Sequence, residues 1–159
     1  MMRSSAGLLL IRAVGSVSFA QEGARDLGQL RAIWNERGAL ERPVLSTSTA
    51  TIANELSRAY QDAGLVDSAL LISTAGIALA EDGLRVTDKS QRRSWLHRRM
   101  TAERLRASQL FFLNRYPESI EAIRAYLATA EELQLPEENG AAYNYLGYCL
   151  TAMEDLPHA

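Results

Sequence analysis

The chain has 159 residues, a formal net charge of −2 and a single cysteine. It is long enough to bury a real core, and its charge balance excludes a global pull toward nucleic acid or a membrane surface. Cys149, standing alone, excludes an internal disulfide and any cysteine-rich metal site. Alanine, leucine, glutamate and arginine dominate and β-branched runs are short, so the composition predicts an all-α protein.

Residues 1–20 are read separately. Arg3 supplies a small basic head, Ala6 to Ile11 is a short apolar run, and Ser18-Phe19-Ala20 before Gln21 has the small-x-small form of an export cleavage site. Arg12 interrupts the apolar stretch. Two readings stand: a cleaved leader with an exported, periplasmic mature chain, or a helical or disordered extension on a cytoplasmic one. No segment reaches the ~18–20 apolar residues of a membrane span, so no transmembrane segment is expected.

From residue 24 onward the pattern predicts six helices. Asp26 to Arg37 carries Leu27, Leu30, Ile33 and Trp34 at helical spacing, with Gly38 to end it. The Ser/Thr run at 46–49 supplies an N-cap for a helix from about Thr49 to Ala63, with Ile52, Leu56 and Tyr60 on one stripe and Gly64 as its stop. Asp67 is expected to cap a helix running to about Asp82, with Leu70, Ile72, Ile77 and Leu79 in the core. Asp88 caps a longer helix to Leu113, bearing Trp95, Leu96, Met100, Leu105, Leu110 and Phe111. Pro117 suits the first turn of the fifth helix, whose apolar face is Ile120, Ile123, Tyr126, Leu127, Ala130 and Leu133. Pro136, with Glu137 and Glu138, is expected to open the sixth in the same way. Cys149 falls in an apolar helical stretch and reads as a buried, inert thiol.

Charge is uneven along this part of the chain. Residues 85–115 have a surplus of seven positive charges and residues 116–159 a surplus of seven negative ones. Adjacent helices that neutralise one another explain this most simply; a basic surface for an acidic partner is the sharper alternative.

Three stretches repeat one plan: IANELSRAYQDAGLVDSA ending at Ala69, AERLRASQLFFLNRYPES ending at Ser119, and AYNYLGYCLTAMEDLPHA ending at Ala159. Each is a helix, a polar turn, and a small residue early in the next helix, where two helices of a hairpin cross closely. In the third stretch Tyr143, Leu146-Gly147, Leu150 and Ala159 follow the W-x2-L-G-x2-Y…A spacing; Leu56, Tyr60, Gly64 and Ala69 sit alike in the first, and Ala107, Leu110 and Ser119 more loosely in the second. The pattern resembles the tetratricopeptide repeat, with hairpins at about 49–83, 89–134 and 137–159. The intervals between the small residues exceed the family's ~34 residues, and such elongated repeats resemble those ahead of bacterial signalling output domains. The resemblance implies an α-solenoid whose last hairpin is incomplete at Ala159.

No phosphate loop, G-x-S-x-G, H-E-x-x-H or paired C-x-x-C is present, and His97 and His158 lie in different repeats. The chain therefore reads as non-enzymatic, with no cofactor or metal expected. The resemblance implies a concave groove made by the first helix of each hairpin, taking a peptide or protein partner. Its groove positions fall on Asn54, Arg58, Arg104, Ser108, Phe111, Asn144 and Tyr148. Asparagine offers both a donor and an acceptor to a peptide backbone, arginine grips a carboxylate, and tyrosine adds area with a polar tip. Self-association through the unfinished hairpin is a second expectation. The runner-up function is the N-terminal sensory or scaffold part of a signalling enzyme, a diguanylate cyclase or histidine kinase. Nucleic-acid binding by residues 85–115 is the weakest option, since few aromatics interleave with the arginines.

Overall fold

Asp26 starts the first helix as the sequence predicts. Its carboxylate accepts from the Gln29 backbone at 2.8 Å while the Gln29 side chain accepts from the Asp26 N–H, a reciprocal pair that satisfies two donors left free at the helix start. The computed structural model describes residues 25–37 and 44–154. The expected export leader, the helix stop at Gly38, and Ala159 lie outside the described residues.

Six helices follow in order: α1 (Leu27–Glu36), α2 (Thr47–Asp62), α3 (Val66–Val86), α4 (Lys89–Phe112), α5 (Tyr116–Leu133) and α6 (Glu138–Glu154). There is no strand among the described residues. Each helix packs on the next in the chain, and α2 also meets α4 directly. α4 has 24 residues, a rod of roughly 36 Å at ~1.5 Å per residue.

Two helix starts differ from expectation. Asp67 does not cap α3: Leu65 is the capping residue, with no side-chain cap bond, and Asp67 stands in the first turn. Backbone bonds do the work instead, because Gly64 at φ 75° turns the chain so that the Leu65 N–H reaches the Tyr60 carbonyl at 2.9 Å. Pro136 likewise sits before α6, not in it. Gln134 caps α5 in the left-handed region, and a backbone turn from Leu135 to Glu138 precedes the helix.

The internal repeat is visible in the backbone. Around Gly64, Ala63, Gly64, Leu65 and Ala69 donate to Ala59, Gln61, Tyr60 and Leu65; fifty positions later Leu113, Asn114, Arg115 and Ser119 donate to Gln109, Phe111, Leu110 and Arg115. Asn114 repeats the positive φ of Gly64, at 58°. The buried and exposed positions of residues 66–80 recur without a change at 116–130. At the crossings, Ser57 Oγ donates to the Ala69 carbonyl at 2.9 Å, and Ser119 Oγ donates to the Ala107 carbonyl at 2.8 Å. The same contact is kept while the hydroxyl changes sides. Ala69 and Ser119 are fully buried, as close helix approach requires.

The core runs along the stack. Leu30 and Trp34 close one end against Ile52, Leu56 and Ile72. Trp95 packs with Ala50, Leu79 and Ala80 where α3 meets α4. Leu96, Met100, Leu110, Ile123, Tyr126 and Leu133 join α4 to α5, with Ala142 and Cys149 of α6 added to them. Cys149 is buried and free, as its apolar setting suggests.

Candidate binding groove

α2 and α4 are the first helices of the two hairpins, and their seam is held by two side-chain bonds. Asn54 Nδ2 donates to the Arg98 carbonyl at 3.0 Å, and Gln61 Nε2 donates to Ser108 Oγ at 3.3 Å. A cavity of about 160 Å³ lies over the seam, lined by Thr51, Asn54, Glu55, Arg58, Arg98 and Thr101. Arg58 and Arg98 make no ion pair among the described residues.

The seven expected groove residues divide. Arg58 is exposed and Asn54 lies beside it on the same cavity. Asn54, however, is only 7% exposed. Its amide nitrogen is committed to α4, and its Oδ1 is buried 3.5 Å from where a Cβ on Gly76 would sit. It therefore ties α2 to α4, and the free pair of peptide-binding groups expected of it is not on the surface. Ser108 is equally buried and accepts from Gln61. Phe111 is half-buried, its ring 5.5 Å from that of Tyr116. Arg104, Asn144 and Tyr148 are exposed but do not line this cavity.

The position equivalent to Asn54 in the second hairpin is Arg104. Gly76 and Arg98 correspond to Tyr126 and Glu138. There the Tyr126 hydroxyl donates to the Glu138 carboxylate. Burial, then the adjoining Glu138 carboxylate, push the Tyr126 pKa up, while Arg104 opposes them. One junction is thus closed by an amide over a glycine, the next by a phenol and a carboxylate.

Gln109 and Glu103 are among the buried polar groups that sequence reasoning missed. Gln109 is fully buried; Ser73 Oγ donates to its Oε1 at 2.7 Å and its Nε2 donates to Ser57 Oγ at 2.8 Å, so one amide stitches α2, α3 and α4 together. Glu103 is 2% exposed. Burial raises its pKa, and Arg99, whose Nε donates at 2.8 Å, and Thr129 partly offset this. The repeat offset alone placed both residues at helix-packing positions, which is the signal that could have found them.

Part of the positive segment is neutralised by α5. Arg92 pairs with Glu132 at 2.5 Å across the two helices, Arg115 pairs with Glu118, and Arg93 donates to the Leu133 carbonyl at 3.3 Å. Among the described residues no helix is long and apolar enough to cross a membrane, and no group of three or more His, Cys, Asp or Glu side chains converges as metal ligands.

α6 is different from α2 and α4. Its residues 139–153 carry no charge. The repeat pairs Tyr143, Gly147 and Leu150 with Glu103, Ala107 and Leu110, which are buried against α5. In α6 that face is open: Tyr143 is 62% and Leu150 is 53% exposed, against 0% for Leu110. A Cβ on Gly147 would meet nothing within 4 Å among the described residues. No protein-family model, no curated protein and no solved structure matches the chain.

Proposed function

We propose that this chain is a protein-interaction module of tetratricopeptide-like hairpins in an α-solenoid, binding a peptide or protein segment across the α2–α4 groove. The fifty-residue recurrence of the hairpin, down to the same turn bonds and the same crossing contact, carries the reading. Repeats of this kind present a row of equivalent helices, and such rows make extended binding surfaces. Arg58 and Arg98 give the groove donors for an acidic or carbonyl-rich segment; the Thr51 and Thr101 hydroxyls donate within their own helices, to the Thr47 and His97 carbonyls. Partners captured by crosslinking to the wild-type chain test it. Arg58→Ala should lower recovery of each partner at least about tenfold, the loss expected for a charge-assisted bond. Unchanged recovery defeats the groove.

A second surface favours self-association. Along α6 the open stripe alternates small and large residues: Gly140, Tyr143, Gly147, Leu150. In an antiparallel pair of α6 helices, Tyr143 of one copy meets Leu150 of the other and Gly140 meets Met153, small against large, with the crossing near Gly147. The uncharged run 139–153 puts no ionic group into that contact. Sedimentation equilibrium should show a dimer that Leu150→Glu dissociates; a monomer at all concentrations removes this pairing.

A further inference from the structure

The end of the stack where α1, α2 and α4 come together holds a second cavity, of about 380 Å³, with the chemistry of an anion site. Arg25, Arg37, Thr47, Ser48, Thr51 and Arg98 line it, and no carboxylate does among the described residues. The local sequence explains how these groups converge. Ser46 caps α2, its Oγ accepting from the Thr49 N–H at 3.1 Å. Thr47 and Ser48 are then in the first turn, where backbone N–H groups have no partner within the helix and the macrodipole is positive. Arg37, at the end of α1, donates through Nη1 to Ser48 Oγ and Thr49 Oγ1, both at 3.0 Å, which fixes its guanidinium beside that turn. Arg25 is steadied at 2.8 Å by Glu55. Arg98 arrives from α4, with its Nε buried and without a partner among the described residues.

Helix starts commonly face anions, and a helix start alone would mean little. Here three guanidiniums share one cavity with the Thr47 and Ser48 hydroxyls, and among the described residues only Arg25 of the three is in an ion pair, with Glu55. A carboxylate carries one charge and two oxygens. A phosphate monoester carries about 1.5 to 2 charges at neutral pH and three strong acceptor oxygens. We infer that this cavity binds a phosphate monoester, with the phosphate among Arg25, Arg37, Arg98 and the first turn of α2. Ile33 and Ile52 form an apolar wall of the same cavity, which suits a small organic group carrying the phosphate. Arg98 and Thr51 line both this cavity and the α2–α4 groove, whereas Arg58 lines only the groove, so Arg58→Ala separates peptide binding from the phosphate site.

The test is a titration of the full chain with inorganic phosphate and with phenyl phosphate at constant ionic strength, followed by amide chemical shifts. Saturable shifts at Thr47 and Ser48 are expected, with phenyl phosphate the tighter probe. Arg37→Gln and Arg98→Gln should each weaken binding about tenfold or more. If Arg98→Gln proves unfolded, Arg25→Gln, at a more exposed position, gives the same measurement. Acetate at equal ionic strength should bind at least about tenfold more weakly. No saturable shift at Thr47 and Ser48, equal binding of acetate, or unchanged affinity in the arginine variants would each overturn the assignment. Loss of partner binding in Arg58→Ala leaves these outcomes untouched.

Discussion

Gly83→Ala should destabilise the protein although the residue lies within a helix. Alanine in place of an interior helical glycine ordinarily gains about 1 kcal/mol. At Gly83 a Cβ would stand 2.4, 2.5 and 2.6 Å from three carbons of the Trp95 indole. Ordinary contact begins near 3.5 Å, so the ring must retreat by about 1 Å. Trp95 is buried among Ala50, Leu79 and Ala80 and has nowhere to go. Overpacking of this kind costs about 1–3 kcal/mol and sometimes more. Taking the upper end against the propensity gain leaves a net loss of about 2 kcal/mol, or roughly 8 °C in Tm for a domain of this size. Urea unfolding followed by tryptophan fluorescence measures it, since Trp34 and Trp95 are the only tryptophans. Gly147→Ala is the control in dilute, monomeric protein: among the described residues nothing meets its Cβ, so it should stabilise α6 by about 1 kcal/mol. In a double-mutant cycle, Trp95→Leu should relieve Gly83→Ala, the pair costing less than the sum of the singles. A Gly83→Ala protein as stable as the wild type refutes the close packing of α3 on α4.

The other predictions concern the buried polar groups and the α5–α6 junction. Gln109→Leu should cost about 1–2 kcal/mol in urea unfolding, because Ser57 and Ser73 keep the Ala69 and Leu70 carbonyls as acceptors; Gln109→Ala, which also leaves a void, should cost about 2–4 kcal/mol. Glu103 has a folded-state pKa raised above the ordinary 4.5 by burial, so the folded state holds its proton more tightly than the unfolded chain. Its stabilisation is complete below about pH 4.5 and is lost as pH rises through the raised value. Wild-type stability should therefore fall relative to Glu103→Gln over that interval, and a difference moving the other way would refute the assignment. Tyr126→Phe removes the bond to Glu138 and should lower the stability of α6 by about 1–2 kcal/mol in local amide exchange, with less effect on α2 and α3.

Helix identity was legible because it depends on local signals. Asp88 is a cap in the structure as in the sequence, Ser46 comes from the Ser/Thr run expected to supply one, and Asp26, expected as the first helical residue, is the N-cap of α1. The apolar stripes located much of the core, including Trp34, Ile72, Leu79 and Leu110, whereas Leu70 and Ile77, expected with them, are only half-buried. The failures at Asp67 and Asn54 share one cause. The sequence shows what these side chains can do, whereas a backbone turn and a neighbouring helix decide what they must do. An asparagine seen alone offers a donor and an acceptor; an asparagine opposite Gly76 fills the space a side chain there would occupy and donates to the Arg98 carbonyl. The α1–α2–α4 cavity was hidden for a related reason. Arg25, Arg37 and Arg98 are scattered across 74 positions of the chain, and only the packing of α4 beside α2 collects them.

The repeat also predicts which part of the protein opens first. The hairpins share one geometry but not one chemistry at the equivalent positions. Gln109, fully buried, bonds two hydroxyls and anchors α4 to the hairpin before it. Its counterpart on α6 is Cys149, whose Sγ has only a 3.4 Å contact with Ser119 Oγ, and thiol hydrogen bonds are weak. α4 is packed by α2, α3 and α5, whereas α6 is packed chiefly by α5 and buries just Ala142 and Cys149 fully. Local stability follows buried contacts, so the amides of α6 should exchange by local opening well before those of α4. If α6 pairs with a second copy, its protection should also rise with protein concentration while that of α4 stays fixed. Exchange of α6 as slow as that of α4 in dilute solution would mean that α5 alone holds it. In that case the open Tyr143–Leu150 face is an ordinary exposed surface, and the case for self-association falls with it.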